Sequence, residues 1–237
     1  MTTNIQLETK DLTVSYGECR ILNNFEFALK KGTITAIMGR NGVGKTTLLK
    51  SLMGLLPANS GDIIFEGESI NHLSTDKRAR IGIAYVPQGR EIFSKLTVQE
   101  NLLIGLEVLS GEKHLLPTDD IYELFPILSR MGSRMGGNLS GGQQQQLAIG
   151  RALVGKPKVL LLDEPTEGLQ PSIIDDIERT LVKLREKGDL SIILVEQYFD
   201  FAQKLADYYY IVDRGTVALQ GSPSELTQDQ IKKYLAF

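Results

Sequence analysis

Gly39-Arg40-Asn41-Gly42-Val43-Gly44-Lys45-Thr46 has the spacing G-x-x-x-x-G-K-[ST]. Three glycines let a turn wrap closely enough for backbone N–H groups to point at phosphate oxygens. A lysine there reaches the β- and γ-phosphates, and the hydroxyl of Thr46 is placed to hold Mg²⁺. Thr47 continues the same helix start and belongs to the same nucleotide-binding set. The chemistry is that of a nucleotide site.

A second string, Val159-Leu160-Leu161-Leu162-Asp163-Glu164, is a fully apolar run ending in two carboxylates. If the run is a buried parallel strand, Asp163 lies at the carboxyl edge of the sheet beside Thr46, where Mg²⁺ would sit. Glu164 would then face an attacking water as base or positioner. A third string, Leu139-Ser140-Gly141-Gly142-Gln143, opens a helix with a hydroxyl and two glycines, again a start suited to an anion. No second lysine equivalent to Lys45 accompanies it. A site shared by two chains, each giving half, would account for that.

These strings need a scaffold, and the flanking sequence supplies one. Residues 5–14 alternate weakly as a strand, and residues 33–38 form a short apolar strand entering the glycine turn. Helical spacing over residues 45–53 follows, and residues 62–65 and 83–86 read as further strands. From 88 to 153 the pattern turns helical. Thr97-x-x-Glu100 is a capping box, and residues 119–128 and 142–153 keep helical spacing. Strand and helix then alternate through 159–162, the helix opened by Pro171, 192–195 and 208–212. Ser222-Pro223-x-Glu225 and Thr227-x-x-Gln230 each predict a short capped helix. The expectation is one α/β phosphate-loop domain over 1–237. Residues 1–87 and 154–237 would form its core and an antiparallel β subdomain, and residues 88–153 an inserted helical subdomain.

Composition narrows the function classes. The 237 residues carry 26 Lys+Arg against 29 Asp+Glu, a net charge of −3, so no global basic field attracts nucleic acid. With 42% hydrophobic residues the chain can bury a sizeable core. No run approaches the ~20 apolar residues of a membrane-spanning helix, and the first ten residues lack a signal peptide's pattern, so the expectation is a cytoplasmic chain. Cys19, the one cysteine, reads as a small buried residue. Lys77, Arg78 and Arg80 read as a solvated basic face. Tyr208 to Tyr210 read as core on one face and rim on the other. Ile231, Tyr234 and Leu235 could pack on the body or on a partner.

In their order along the chain, the 39–46 loop, Gln88, Leu139-Ser140-Gly141-Gly142-Gln143 and the 159–164 strand resemble the nucleotide-binding subunits of ATP-binding cassette transporters. The resemblance covers about residues 7–220. It implies a head-to-tail dimer, with ATP between one chain's 39–46 loop and the partner's Ser140, Gly141, Gly142 and Gln143. It further implies that Gln88 senses Mg²⁺ and that Tyr16 stacks on adenine. The helical insert would dock on two transmembrane permeases. The chain would then sit peripherally on the inner face of the membrane, served by an extracytoplasmic solute-binding protein.

Two positions depart from that family. Gln197, in Leu194-Val195-Glu196-Gln197, stands where most members have a γ-phosphate-contacting histidine. Gln170 stands where an aspartate is usual, and both histidines, His72 and His114, precede residue 139. Glutamine donates a hydrogen bond but carries no proton. With Glu164 retained, the swaps predict slowed rather than abolished hydrolysis, and a different ATPase as the partner.

Gln197 resembles the second ATPase of the branched-chain amino-acid importer branch. The four glutamines 143–146 and the string Gly168-Leu169-Gln170-Pro171-Ser172-Ile173-Ile174 resemble the urea importer within it. Urea is therefore the expected solute, and branched-chain amino acids are the alternative. A soluble, non-transport cassette ATPase fits less well, because it usually carries two cassettes or a long coiled insertion. No guanine-reading Asn-Lys-x-Asp string is present.

Overall fold

A computed structural model describes residues 4–109 and 119–235, so His114 lies outside the described residues. Ile5–Tyr16 (β1) and Cys19–Lys30 (β2) form a long hairpin, and Ile34–Met38 (β3) leads through the glycine loop into Lys45–Met53 (α1). Ser60–Phe65 (β4), Glu68–Ser69 (β5), Thr75–Arg80 (α2) and Ile83–Val86 (β6) come next. The helical stretch holds Val98–Gly105 (α3), Asp119–Leu124 (α4), Pro126–Arg130 (α5) and Gly141–Leu153 (α6). Val159–Asp163 (β7), Pro171–Lys187 (α7), Ser191–Glu196 (β8) and Phe199–Leu205 (α8) follow it. Tyr208–Asp213 (β9), Thr216–Gly221 (β10) and Gln228–Leu235 (α9) complete the described chain.

The strands form two sheets, an antiparallel one ordered β2-β1-β4-β5 and a six-stranded one ordered β10-β9-β3-β8-β7-β6. All neighbours in the second sheet are parallel except β10 on β9. β3, β7 and β8 are buried at every position, which is why their sequences are continuous apolar runs rather than alternating ones. One face, with Ala36, Leu160, Leu162 and Leu194, packs under Leu102, Leu147, Leu181 and Phe201 of the helices. The opposite face, with Ile37, Leu161 and Ile193, meets Leu48 and Leu52 of α1 and Leu7, Phe25 and Leu29 of the hairpin.

The register positions the site. Met38 pairs with Glu196, and Asp163 pairs with Val195, so three parallel strands end together. The segments that follow them, 39–44, 164–170 and 197–198, therefore emerge side by side at the carboxyl edge of the sheet.

Several local expectations change. The helix expected over 119–128 is two helices, because Pro126 offers no N–H and disfavours a helical Phe125. Glu225 Oε2 accepts from the Ser222 N–H and hydroxyl, at 2.7 and 2.9 Å, but the Glu225 N–H donates to the Ser222 carbonyl at 3.0 Å, so the expected capping box is half made and closes a turn, not a helix. Cys19 is exposed, paired with Tyr16 at the hairpin mouth. Arg78 is buried against α1 and is not part of a solvated face. Its Nη1 donates to the carbonyls of Ser51 and Leu52 at 2.7 and 3.0 Å, satisfying the end of that helix. Tyr209 and Tyr210 are both buried, since both faces of the sheet are covered. Ile231, Tyr234 and Leu235 pack on the chain's own core.

Candidate functional site

Close approaches explain why the loop needs its glycines. A Cβ on Gly39 would lie 2.4 Å from the Val212 carbonyl oxygen, and one on Gly44 would lie 2.8 Å from Leu22 Cδ2. Gly44, at φ 110°, caps α1 without a side-chain bond, which leaves the first amides of that helix to serve a ligand. Lys45 follows at once and is buried. Its Nζ donates to the carbonyls of Gly39 and Arg40 at 2.8 and 2.9 Å and stands 3.6 Å from Glu164 Oε1. Burial lowers the lysine's pKa, and the carboxylates of Glu164 and Asp163 oppose that shift.

Asp163 receives a hydrogen bond on each oxygen, from Thr46 Oγ1 and from Tyr85 Oη, both at 3.1 Å. Burial raises its pKa, with those two donors opposing. Tyr85 is pushed up as well, by burial and then by the Asp163 charge. Thr46, Asp163 and the Gln88 amide offer hard oxygen donors but only one acidic group among them. That set fits Mg²⁺, which binds through one or two carboxylates plus phosphate and water.

Glu164 adopts φ 47°, a left-handed conformation uncommon for a residue with a side chain, and its N–H donates to the Val195 carbonyl at 2.9 Å. Gln197 Nε2 donates to Glu164 Oε1 at 2.7 Å and to Asn41 Oδ1 at 2.6 Å. Gln88 Nε2 lies 3.4 Å from Glu164 Oε2 and donates to Glu167 Oε2 at 2.9 Å. Lys45, Thr46, Gln88, Asp163, Glu164 and Gln197 thus form one connected cluster. Its chemistry would suit phosphates and a metal, with Glu164 as the carboxylate that could orient water.

The other expected residues are held by contacts of their own. Tyr16 is 47% exposed at the mouth of the β1–β2 hairpin, whose Ile21 and Leu22 a Cβ on Gly44 would meet. Ser140 caps α6 through a reciprocal box with Gln143, and a Cβ on Gly141 or Gly142 would run into Arg90 or Ile173. Gln170 precedes the first turn of α7, where Pro171 stands at N1.

Four residues of the cluster's surroundings escape a motif reading: Tyr85, Thr166, Glu167 and Glu196. Only Glu196 leaves a sequence signal, a lone charge ending an apolar run. Its one distant partner, Thr166, comes from 30 residues away and is invisible in spacing.

The family model "ABC transporter" matches residues 22–167. The chain is 43% identical over 211 residues to the high-affinity branched-chain amino acid transport ATP-binding protein BraG of Pseudomonas aeruginosa, covering 89% of this chain and 90% of that one. It is 40% identical over 224 residues to a probable branched-chain amino acid transport ATP-binding protein, LivF, of Archaeoglobus fulgidus, covering 94% and 95%. Its fold matches the dimeric structure of a bacterial ABC transporter cassette, MJ0796, with a TM-score of 0.82 at 26% identity, covering 92% and 98%.

Proposed function

The chain belongs to the ABC transporter family as an ATP-binding, ATP-hydrolysing subunit, and from that premise we propose that it powers an importer of branched-chain amino acids. The observation that carries the catalytic part is the cluster at the sheet's carboxyl edge, where Lys45, Thr46, Asp163, Glu164 and Gln197 converge. The solute rests on the relatives: BraG and LivF are both named for branched-chain amino acids. The strings at 143–146 and 168–174 favour urea as a second reading, but no residue of this site touches a transported solute.

In the proposed mechanism the loop amides and Lys45 hold the β- and γ-phosphates of ATP. Bound Mg²⁺, held by Thr46, Asp163 and Gln88, supplies charge neutralisation on those phosphates. Glu164 orients a water whose oxygen bonds to the γ-phosphorus as the bond to ADP breaks, and its carboxylate accepts the water's proton. The Gln197 amide, already beside Glu164, would release one of its two N–H groups from Glu164 or Asn41 and turn it to the γ-phosphoryl oxygens. Tyr16 stacks on adenine. The second half of the site, Ser140, Gly141, Gly142 and Gln143, comes from a partner ATPase in a head-to-tail dimer; that the MJ0796 cassette is dimeric supports a dimer.

Two transmembrane permeases complete the proposed transporter, with a solute-binding protein on the far side. Phe93 and Ile104 are exposed apolar side chains beside a groove that Tyr85 and Arg151 also line. The Arg151 guanidinium lies over the Phe93 ring, and its Nη1 is buried without a hydrogen-bond partner. A cytoplasmic segment of a permease fits that mixture of apolar surface and spare donor. No helix among the described residues is long and apolar enough to cross a membrane, consistent with peripheral attachment to the inner face.

The test is uptake of labelled leucine and labelled urea, side by side, with the chain intact and with Lys45→Ala. Loss of leucine uptake alone is the expected result. Loss of urea uptake alone would move the chain to the urea importer with its mechanism untouched. If neither changed while the importer was expressed, transport of these solutes would be refuted.

A further inference from the structure

Strand β8 is apolar from Ile192 to Val195 and then ends in a carboxylate, Glu196, that is 2% exposed. An ionised group in that setting is destabilising unless its oxygens are well bonded. Here they are. Oε1 accepts from the Thr166 backbone N–H at 3.1 Å and from the Thr166 hydroxyl at 2.8 Å. Oε2 accepts from the backbone N–H groups of Gln197 at 3.2 Å and Tyr198 at 3.4 Å. Burial raises the Glu196 pKa, and these same donors oppose the shift.

The two pairs of donors belong to different segments. Thr166 lies just past Glu164 in the segment leaving β7, whereas Gln197 and Tyr198 begin the segment leaving β8. We propose that Glu196 is a positioning residue for hydrolysis, its carboxylate clamping these two segments so that Gln197 meets Glu164. The chemistry of the donors selects a carboxylate. Three of the four are backbone N–H groups, so both ends of the clamp must accept, and an ionised carboxylate accepts at both oxygens. A glutamine amide accepts at one end only and turns an NH₂ toward donors at the other.

The clamp has work to do because Glu164 holds an uncommon backbone conformation, φ 47°, that its surroundings must enforce. One tie is the Glu164 N–H to the Val195 carbonyl at 2.9 Å, and the Glu196–Thr166 pair is the second. The 2.7 Å contact between Gln197 Nε2 and Glu164 Oε1 spans the gap that these ties set. None of the Glu196 bonds goes to the 39–46 loop or to Lys45. Its one link to that loop is indirect, through Gln197 and Asn41, so its effect is expected on turnover more than on nucleotide affinity.

This inference rests on the assignment of Glu164 as the water-orienting carboxylate, so Glu164→Gln serves as the reference. The measurement is steady-state ATP hydrolysis and equilibrium ATP binding by the full-length chain assembled with its partner ATPase and permeases, with Mg²⁺, for wild type, Glu196→Gln, Thr166→Val and the double variant. Glu196→Gln is expected to lower kcat by about tenfold or more, the scale on which misplacing a catalytic group acts. ATP affinity should stay within about twofold, because the hydrogen bonds that Glu196 makes do not reach the bound nucleotide. Thr166→Val should lower kcat less, and the double variant no further than Glu196→Gln, as members of one network do. Wild-type kcat in Glu196→Gln, with Glu164→Gln inactive, would overturn the clamp. A parallel loss of affinity and kcat would overturn it too. Wild-type turnover in Glu164→Gln would sink the underlying site assignment instead. If Glu196→Gln melts lower and folds incompletely, Thr166→Val carries the test: lowered kcat at unchanged affinity supports the clamp, and unchanged kcat overturns it.

Discussion

Gln197 Nε2 lies 2.7 Å from Glu164 Oε1, and the same nitrogen lies 2.6 Å from Asn41 Oδ1. One amide thus joins the carboxylate that would orient water to the loop that would hold the phosphates. The position calls for a donor, and glutamine supplies it without a titrating proton.

Removing that donor should slow chemistry and spare binding. Gln197→Ala is expected to lower kcat on the order of a hundredfold, as loss of one oriented transition-state donor does. Gln197→His should raise the single-turnover rate and introduce a pH dependence near about 6.5, the ordinary histidine range. A rate unchanged in Gln197→His, followed by quenched-flow assay, would contradict the reading of this site as slowed.

Asp163 trades stability for function. Burial holds its carboxyl above the ordinary value of 3.8. The folded chain therefore binds that proton more tightly than the unfolded chain. Stability falls as pH rises from the unfolded value through the folded one, and stays lowered at neutral pH. Asp163→Asn keeps an acceptor for Thr46 and removes the buried charge. Urea denaturation at pH 7, without nucleotide or metal, should show a gain of about 1 kcal/mol, while Mg²⁺-dependent hydrolysis is lost.

Arg78 supports the far end of the helix that begins with Lys45. Its guanidinium satisfies the carbonyls of Ser51 and Leu52, and its Nε donates to the Leu73 carbonyl at 3.1 Å. Arg78→Ala strands those buried oxygens and should cost about 2 kcal/mol in urea denaturation. Arg78→Lys, with a point charge in place of a planar fork, should recover only part of it.

The parts legible in the sequence are those in which one local property decides the outcome. β3, β7 and β8 announce themselves because a strand buried on both faces is apolar throughout, and the 39–46 loop because glycine spacing alone defines it. β2 is hidden by its own irregularity. Asn24 takes φ 44°, and the register shifts along β1–β2 break the alternation that would have marked the strand. Arg78 and Glu196 are illegible for a different reason. A basic cluster and a strand-end acid are usually solvated, and only contacts from distant segments bury these two. Ser222 shows the limit of a capping motif, since its bonds to Glu225 form without a helix behind them.

The most direct measurement is a single turnover of γ-labelled ATP by wild type and Glu164→Gln, quenched over time with Mg²⁺ present. Wild type should release labelled phosphate, while Glu164→Gln should bind ATP and hold it intact, its phosphate release slower on the order of a hundredfold or more. Phosphate release by Glu164→Gln at the wild-type rate would contradict the account.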